Sequence, residues 1–388
     1  MSKDIHADLN REEISRYSRH LTLPEVGIEG QKKLKSASVL CIGSGGLGSP
    51  LMMYLAAAGV GNIGIVDFDI VDKSNLQRQI IHSDETVGIP KTTSAKQRLN
   101  GLNPNCQITV YNQLLSSENA LEIIKPYDIV CDGTDNFPTR YLVNDACVIL
   151  GKPYVYGSVF RFEGQASVFN LTKSSPNYRD LVPEPPPPGV VPSCAEGGVM
   201  GIVPGIIGLI QATETIKIIT GIGQTLDKRL LVFDAMKMKF RELTLRPDPN
   251  SPTINQLIDY KEFCGLSKDS SIDEEAGAVK NISVHELQQL LTHKNEKICI
   301  IDVRTQQEYD LVHMKDTILI PLDTIESGDS IPKIRELARE NKLILHCKLG
   351  GRSAKAIIAM QRFDILAYNL SGGIDAWAKE IDPSMVRY

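Results

Sequence analysis

The feature that most narrows what this chain can fold into is a glycine loop, Gly43-Ser-Gly45-Gly46-Leu-Gly48, set between a short apolar run at 37–42 and a helix of small residues at 50–58. A second apolar run at 63–66 ends in Asp67 and Asp69. Strand, glycine turn, helix and a second strand ending in an acid is the βαβ start of a nucleotide-binding α/β fold. Glycines let phosphate oxygens reach backbone amides at a helix N-terminus, and Asp67 is placed to accept hydrogen bonds from ribose hydroxyls. Two further βα units are predicted, with strands near 107–111 and 128–131 and helices beginning near Lys91 and Ser117. The period then changes. Residues 154–158 and 165–169 alternate as strands of an antiparallel extension, so the expected sheet is mixed. A loop with Pro183, Pro185 to Pro188 and Pro192 comes next, then a buried helix from about 199 to 220, and a strand pair at 230–234 and 239–245 closes the unit.

Beyond 245 the pattern breaks at Pro247, Pro249 and Pro252, and residues 246–280 read as a connecting segment whose second half, 266–280, is a polar linker. Residues 281–388 form a smaller α/β domain, with a helix at 284–291, buried strands at 298–303 and 343–346, and a helix after Cys347. At 388 residues with 42% hydrophobic content the chain has enough apolar surface for two cores. Lys and Arg number 42 against 47 Asp and Glu, a net charge of −5, which excludes a nucleic-acid binder that works mainly through a basic excess. The polar N-terminus carries no apolar secretory region. The most apolar stretch, 199–210, is interrupted by Pro204 and several glycines and reads as too short to span a bilayer. A cytoplasmic protein with no membrane attachment is expected. The eight cysteines include no C-x-x-C pair, so neither a disulfide framework nor a zinc knuckle is visible.

The glycine loop alone fits a redox dinucleotide as readily as ATP. The residues downstream of it favour ATP. Ser74, Asn75, Gln77 and Arg78 lie just past the second strand, Lys91 opens the next helix, and Asp135 and Asn136 stand just beyond the strand at 128–131. A reacting triphosphate needs cations on its phosphates and a carboxylate to hold magnesium. Any one of these residues alone would be a solvated surface charge. The set belongs to one sheet edge.

Arg16-Tyr-Ser-Arg19, the glycine loop 43–48, Asp67-Phe-Asp69, Ser74-Asn-Leu-Gln-Arg-Gln79, Pro90-Lys91, Thr134-Asp-Asn136, Pro192-Ser-Cys-Ala-Glu-Gly-Gly198 and Phe233-Asp-Ala235 together resemble the MoeB/ThiF/HesA adenylyltransferases, relatives of ubiquitin-activating enzymes. The resemblance spans about residues 12–245. It implies a Rossmann-like adenylation domain that uses ATP and Mg2+ to adenylate the C-terminal glycine of a small ubiquitin-fold sulfur carrier ending in Gly-Gly. It further implies that Gly46, Asp67, Asn75, Arg78 and Lys91 hold ATP, that Asp135 holds magnesium, and that Arg19 reaches the phosphates of a partner subunit in a homodimer. Many relatives bind a structural zinc through two C-x-x-C pairs; here the corresponding positions are Asn177, Asp180, Lys261 and Cys264, so no zinc is expected.

In the second half, His346-Cys-Lys-Leu-Gly-Gly-Arg-Ser353 lies between an apolar strand and a helix. Cys347 is thereby placed in a cradle of backbone amides at a helix N-terminus, with Lys348, Gly350, Gly351, Arg352 and Ser353 forming the rest of the loop, an environment that favours an anionic sulfur. A buried inert cysteine is the ordinary alternative. A tyrosine phosphatase would carry C-x5-R, whereas Cys347 to Arg352 is the shorter C-x4-R, suited to a sulfur atom. With Asp302-Val-Arg304, Glu308-Tyr309, His313, Ile320-Pro321 and Ser371-Gly-Gly-Ile-Asp-Ala-Trp377, the region from about 281 resembles a rhodanese domain. Val312 and Met314 replace the usual residues flanking His313.

Joining the two units raises the effective concentration of a nucleophilic sulfur for an acyl-adenylate. The expected sequence is carrier adenylation, attack by a Cys347 persulfide, and reductive release of a thiocarboxylate, with Cys194 an acceptor or resolving thiol. The fusion resembles molybdopterin-synthase sulfurylases, which implies molybdenum cofactor biosynthesis. Thiamine, cysteine or tRNA-thiolation carriers share the chemistry, and the remaining alternatives are a modifier-activating enzyme for protein conjugation and a non-catalytic scaffold whose tail only binds partners. The sulfur donor is expected to be a cysteine desulfurase or thiosulfate.

Overall fold

The computed structural model describes residues 8–186, 197–249, 251, 253–265, 279–293 and 296–388. The chain divides into two compact units, Met1–Ser267 and Lys268–Tyr388.

In the first unit, β1 (Ser38–Ile42), β2 (Asn62–Val66), β3 (Gln107–Tyr111), β4 (Ile129–Asp132), β5 (Tyr154–Phe160), β6 (Glu163–Phe169), β7 (Arg229–Asp234) and β8 (Lys239–Thr244) form one sheet in the order β3-β2-β1-β4-β5-β6-β7-β8. Pairs from β3 to β5 are parallel and those from β5 to β8 antiparallel, which is the expected mixed sheet. All five residues of β1 are buried, as an apolar run covered on both faces must be. The chain steps outward from β1 to β2 and β3, then returns to place β4 on the other side of β1. That reversal opens a crevice at the carboxyl ends of β1, β2 and β4, where ligands of open α/β sheets bind.

The helix expected from about 199 starts at Ile202 and runs to Thr220, because Pro204 sits in its first turn, where a missing N–H costs nothing. Its 19 residues are, by length and composition, enough to cross a membrane, unlike the 199–210 stretch read alone. In this fold it packs on the sheet: Gln211 Nε2 donates to the carbonyls of Asp132 (2.7 Å) and Val155 (3.1 Å), and Glu214 Oε2 accepts from the Leu226 amide at 2.6 Å.

Residues 253–265, read from sequence as part of a connecting segment, are built into the first unit. Tyr260 and Cys264 join the core around Tyr141 and Tyr178. Arg179 donates to both oxygens of the buried Asp145 carboxylate (3.0 and 2.8 Å), the Tyr260 hydroxyl donates to the same group at 2.8 Å, and the guanidinium lies over the Tyr141 and Phe263 rings. Asn177 and Asp180 form a capping box, and Asp180 Oδ1 accepts from the Asp248 amide and the Ser251 hydroxyl. Replacing Arg179 with Met leaves the buried Asp145 carboxyl without its guanidinium partner, at a cost of about 3–5 kcal/mol. Calorimetry should then show the first unit's transition falling by roughly 10 °C. Trp377, the chain's single tryptophan, lies in the second unit, and its fluorescence transition should not move.

In the second unit, β9 (Lys280–Ile282), β10 (Ile298–Asp302), β11 (Thr317–Leu319), β12 (Lys342–His346) and β13 (Tyr368–Leu370) form a parallel sheet in the order β11-β10-β12-β13-β9. Lys280 begins a strand rather than ending the linker, and residues 266–278 of that linker lie outside the described residues. Cys347 follows β12 directly, and the helix Gly351–Gln361 starts four residues later.

Candidate functional sites

At the crevice of the first unit, the β1 turn, the β2 end and the β4 loop line an open cleft. Gly43, Gly45, Gly46, Asp67, Asp69, Arg78, Lys91, Asp135 and Asn136 all line it. Gly48 instead opens the helix Gly48–Ala58, and a Cβ there would lie 2.1 Å from the Gly43 carbonyl oxygen, so only glycine lets the turn close. Asp67 Oδ2 accepts from the amide and hydroxyl of Ser44, both at 2.8 Å, while Oδ1 accepts from the Asp69 amide at 3.0 Å. Lys91, its side chain 8% exposed, pairs with Asp69 at 2.9 Å. Arg78 donates to the Ser74 carbonyl at 3.2 Å. Ser74, Asn75 and Gln77 do not line the cleft. Asp72 caps the short 3-10 turn Lys73–Asn75, and Asn75 Oδ1 accepts from the Asp72 amide, so these residues set the course of the segment that carries Arg78. Arg19 is exposed on the short helix Ser18–Leu21 and does not line the cleft. Cys194 lies outside the described residues.

Three residues that the sequence reading did not single out, Asp132, Arg140 and His82, shape this cleft. Asp132, fully buried and with its carboxyl pushed up by that burial, accepts from the amide and hydroxyl of Thr134 and from the Tyr154 hydroxyl. Arg140, buried against the Phe137 and Tyr156 rings, donates to the Thr134 carbonyl at 3.1 Å. Together they fix the loop from which Asp135 projects into solvent. Asn136 caps the following helix by accepting from the Thr139 amide. His82, pushed down by burial, bridges the Ser44 carbonyl and the Ser94 hydroxyl and so ties the glycine loop to the Lys91 helix. Gln79 lines the cleft with Oε1 buried and without a hydrogen bond.

In the second unit, Gly350 holds a positive φ of 102°, and that conformation turns its N–H onto Cys347 Sγ at 3.1 Å. The Ser353 hydroxyl lies 3.6 Å from the same sulfur and donates to Asn369 Oδ1 at 2.7 Å. The sulfur therefore accepts from one amide at a helix N-terminus, and Cys347 is only 2% exposed. Arg352 forms a bidentate pair with Glu308, both contacts 2.7 Å. Lys348 lies over the Tyr388 ring at 4.6 Å. Behind the loop, the fully buried Arg304 grips Asp302.

Burial pushes the Glu308 carboxyl up, but Arg352, the Thr305 amide and the Tyr388 hydroxyl outweigh it and hold the group at about 2, against an ordinary 4.5. A depressed carboxylate stabilises the fold fully above its unfolded value and loses that contribution as pH falls toward its folded value. Denaturation of the full chain followed by Trp377 should therefore show stability falling between pH 4.5 and about 2, and Glu308→Gln should flatten that part of the curve.

The ThiF family profile matches residues 17–253, and the rhodanese-like domain profile matches residues 283–380. The chain is 51% identical over 386 residues to the probable adenylyltransferase/sulfurtransferase MoeZ of Mycobacterium tuberculosis, covering 98% of this chain and 96% of that protein. It is 40% identical over 410 residues to the adenylyltransferase and sulfurtransferase MOCS3 of Sus scrofa, covering 98% and 89%. Among solved structures, E. coli MccB with MccA-N7isoASN superposes with a TM-score of 0.56 over 64% of this chain and 77% of that one, at 20% identity, a likeness of fold.

Proposed function

We propose, from the premise that this chain belongs to the ThiF family and carries a rhodanese-like domain behind it, that it adenylates the C-terminal glycine of a ubiquitin-fold sulfur carrier and converts it to a thiocarboxylate. It is an enzyme of two activities, adenylyltransferase and sulfurtransferase. The observation that carries the reading is the convergence of Gly46, Asp67, Arg78, Lys91 and Asp135 on one cleft, in a chain whose other unit seats Cys347 at a helix N-terminus.

On this reading ATP lies in the first unit's cleft with its phosphates against the glycine-loop amides, Arg78 and Lys91. The free lone pairs of Asp67 Oδ1 take a ribose hydroxyl. Ser74, Asn75 and Gln77 support Arg78 from behind. Asp135, exposed at the rim, suits Mg2+, which is held by one or two carboxylates together with nucleotide phosphates and water. Among the described residues no cluster of three His, Cys, Asp or Glu could hold a metal ion. Bound at Asp135, the metal neutralises phosphate charge. The carrier carboxylate attacks the α-phosphorus and pyrophosphate leaves. In the second unit a Cys347 persulfide, loaded by thiosulfate or a cysteine desulfurase, attacks the acyl-adenylate carbonyl and expels AMP. A thiol, Cys194 or an external one, then takes the Cys347 sulfur as a disulfide and releases the carrier thiocarboxylate.

We place the enzyme in the cytoplasm as a homodimer completed by Arg19, without structural zinc and without a nucleic-acid or membrane partner. Molybdopterin synthesis is the proposed pathway. Carrier-dependent ATP–pyrophosphate exchange is the test. Exchange that appears only with a Gly-Gly carrier supports the reading, and no exchange with any carrier overturns it. A chelator that lowers the first unit's melting temperature would overturn the zinc-free account.

A further inference from the structure

The segment after the last helix of the second unit does more than end a domain. Asp382 turns it by accepting from the Ser384 amide and hydroxyl, and Met385 packs on the core. Arg387 then forms a bidentate pair with Asp375, 2.9 Å at both contacts, and the Asp375 amide donates to the Lys348 carbonyl of the Cys347 loop. Tyr388 reaches further. Its hydroxyl accepts from Arg304 at 2.6 Å and donates to Glu308 at 2.9 Å, the carboxylate that carries Arg352. Its ring lies beneath Lys348. One half-buried side chain thus engages both cations of the loop, Lys348 through its ring and Arg352 through Glu308.

We propose that residues 384–388 are a strap across the rim of the Cys347 loop, and that Tyr388 is a positioning residue which, acting through Glu308, sets how Arg352 and the loop are presented to an anionic sulfur donor. The inference rests on the sulfurtransferase reading of Cys347. With thiosulfate as donor, the Cys347 thiolate attacks the outer sulfur, the S–S bond of thiosulfate breaks, and sulfite departs with the electron pair. Cyanide then removes the sulfur from the persulfide as thiocyanate and restores the thiolate. Cations that hold the donor equally in the ground and transition states govern KM rather than kcat.

The test is thiosulfate:cyanide kinetics on the full chain. Tyr388→Phe keeps the ring under Lys348 and removes only the hydroxyl. It should raise KM for thiosulfate about fivefold with kcat held within about twofold. Arg387→Ala, which loosens the strap at Asp375 without touching Glu308, should raise KM in the same direction. In a Glu308→Gln background, Tyr388→Phe should add no further rise beyond about twofold, because both changes act on one link. A Tyr388→Phe enzyme with the KM of the parent, or a full additive rise in the Glu308→Gln background, would overturn the inference while leaving the Cys347 reading intact. A parent chain that forms no thiocyanate would instead overturn the Cys347 reading and the inference with it.

Discussion

Replacing Cys347 with alanine should leave carrier-dependent ATP–pyrophosphate exchange within about twofold of the parent, yet lower carrier thiocarboxylate formation by about a thousandfold or more. The two halves of that expectation have separate physical grounds. Cys347 belongs to the second unit, on the loop after β12, whereas every group that lines the nucleotide cleft belongs to the first. Alanine removes only the sulfur from a site that is 2% exposed, which costs the domain about 1 kcal/mol and leaves the Arg352–Glu308 pair in place. The second unit's other cysteine, Cys299, is a buried core residue whose thiol is pushed up by burial. If thiocarboxylate persists in Cys347→Ala at the parental rate, sulfur does not pass through this residue and the coupling of the two units fails.

Replacing Asp135 with alanine should have the opposite signature. Adenylation, read as pyrophosphate exchange, should drop by about a hundredfold or more, while thiosulfate:cyanide turnover at Cys347 stays unchanged. Asp135 is exposed, and the loop that carries it is fixed by its neighbours: Asp132 beneath Thr134, Arg140 on the Thr134 carbonyl and Asn136 on the next helix. Its loss therefore costs folding within about 0.5 kcal/mol. A fall in exchange then reads the missing carboxylate and not a collapsed loop. Normal exchange by Asp135→Ala would remove its role with magnesium.

Much of this was legible in the sequence because the signals were local. The buried run of β1, the glycine turn and the acids after β2 are consecutive in the chain, and so are Cys347 and its loop, so their positions follow from period and turn chemistry. The cleft members Arg78, Lys91 and Asp135 were equally readable as polar residues at strand ends. Contacts made across large sequence distances were not. Tyr388 meets Glu308 across 80 residues and Arg179 meets Asp145 across 34, and neither pair has a spacing that period or motif could flag. Tyr260 and Cys264 sit in a proline-broken stretch that reads as a connecting segment, yet a buried carboxylate and an aromatic cluster draw them into the core. The strands β9, β11 and β13 have three residues each, too short for alternation to register. Asp132 and Arg140 were missed for a related reason: a buried charge in an apolar strand or helix gives its place only when its partners are seen.

The central claim is that one polypeptide both adenylates a carrier and replaces its terminal oxygen with sulfur. Intact-mass analysis tests it most directly. The full chain is incubated with ATP, magnesium, thiosulfate or a cysteine desulfurase, a reducing thiol, and each of a panel of carriers ending in Gly-Gly. At least one carrier should gain the mass of one sulfur in place of one oxygen, only when ATP and the sulfur source are both present, and the molybdopterin carrier should be among them. Exchange of pyrophosphate with every carrier left unchanged in mass, or a carrier joined to another protein instead, would contradict the claim.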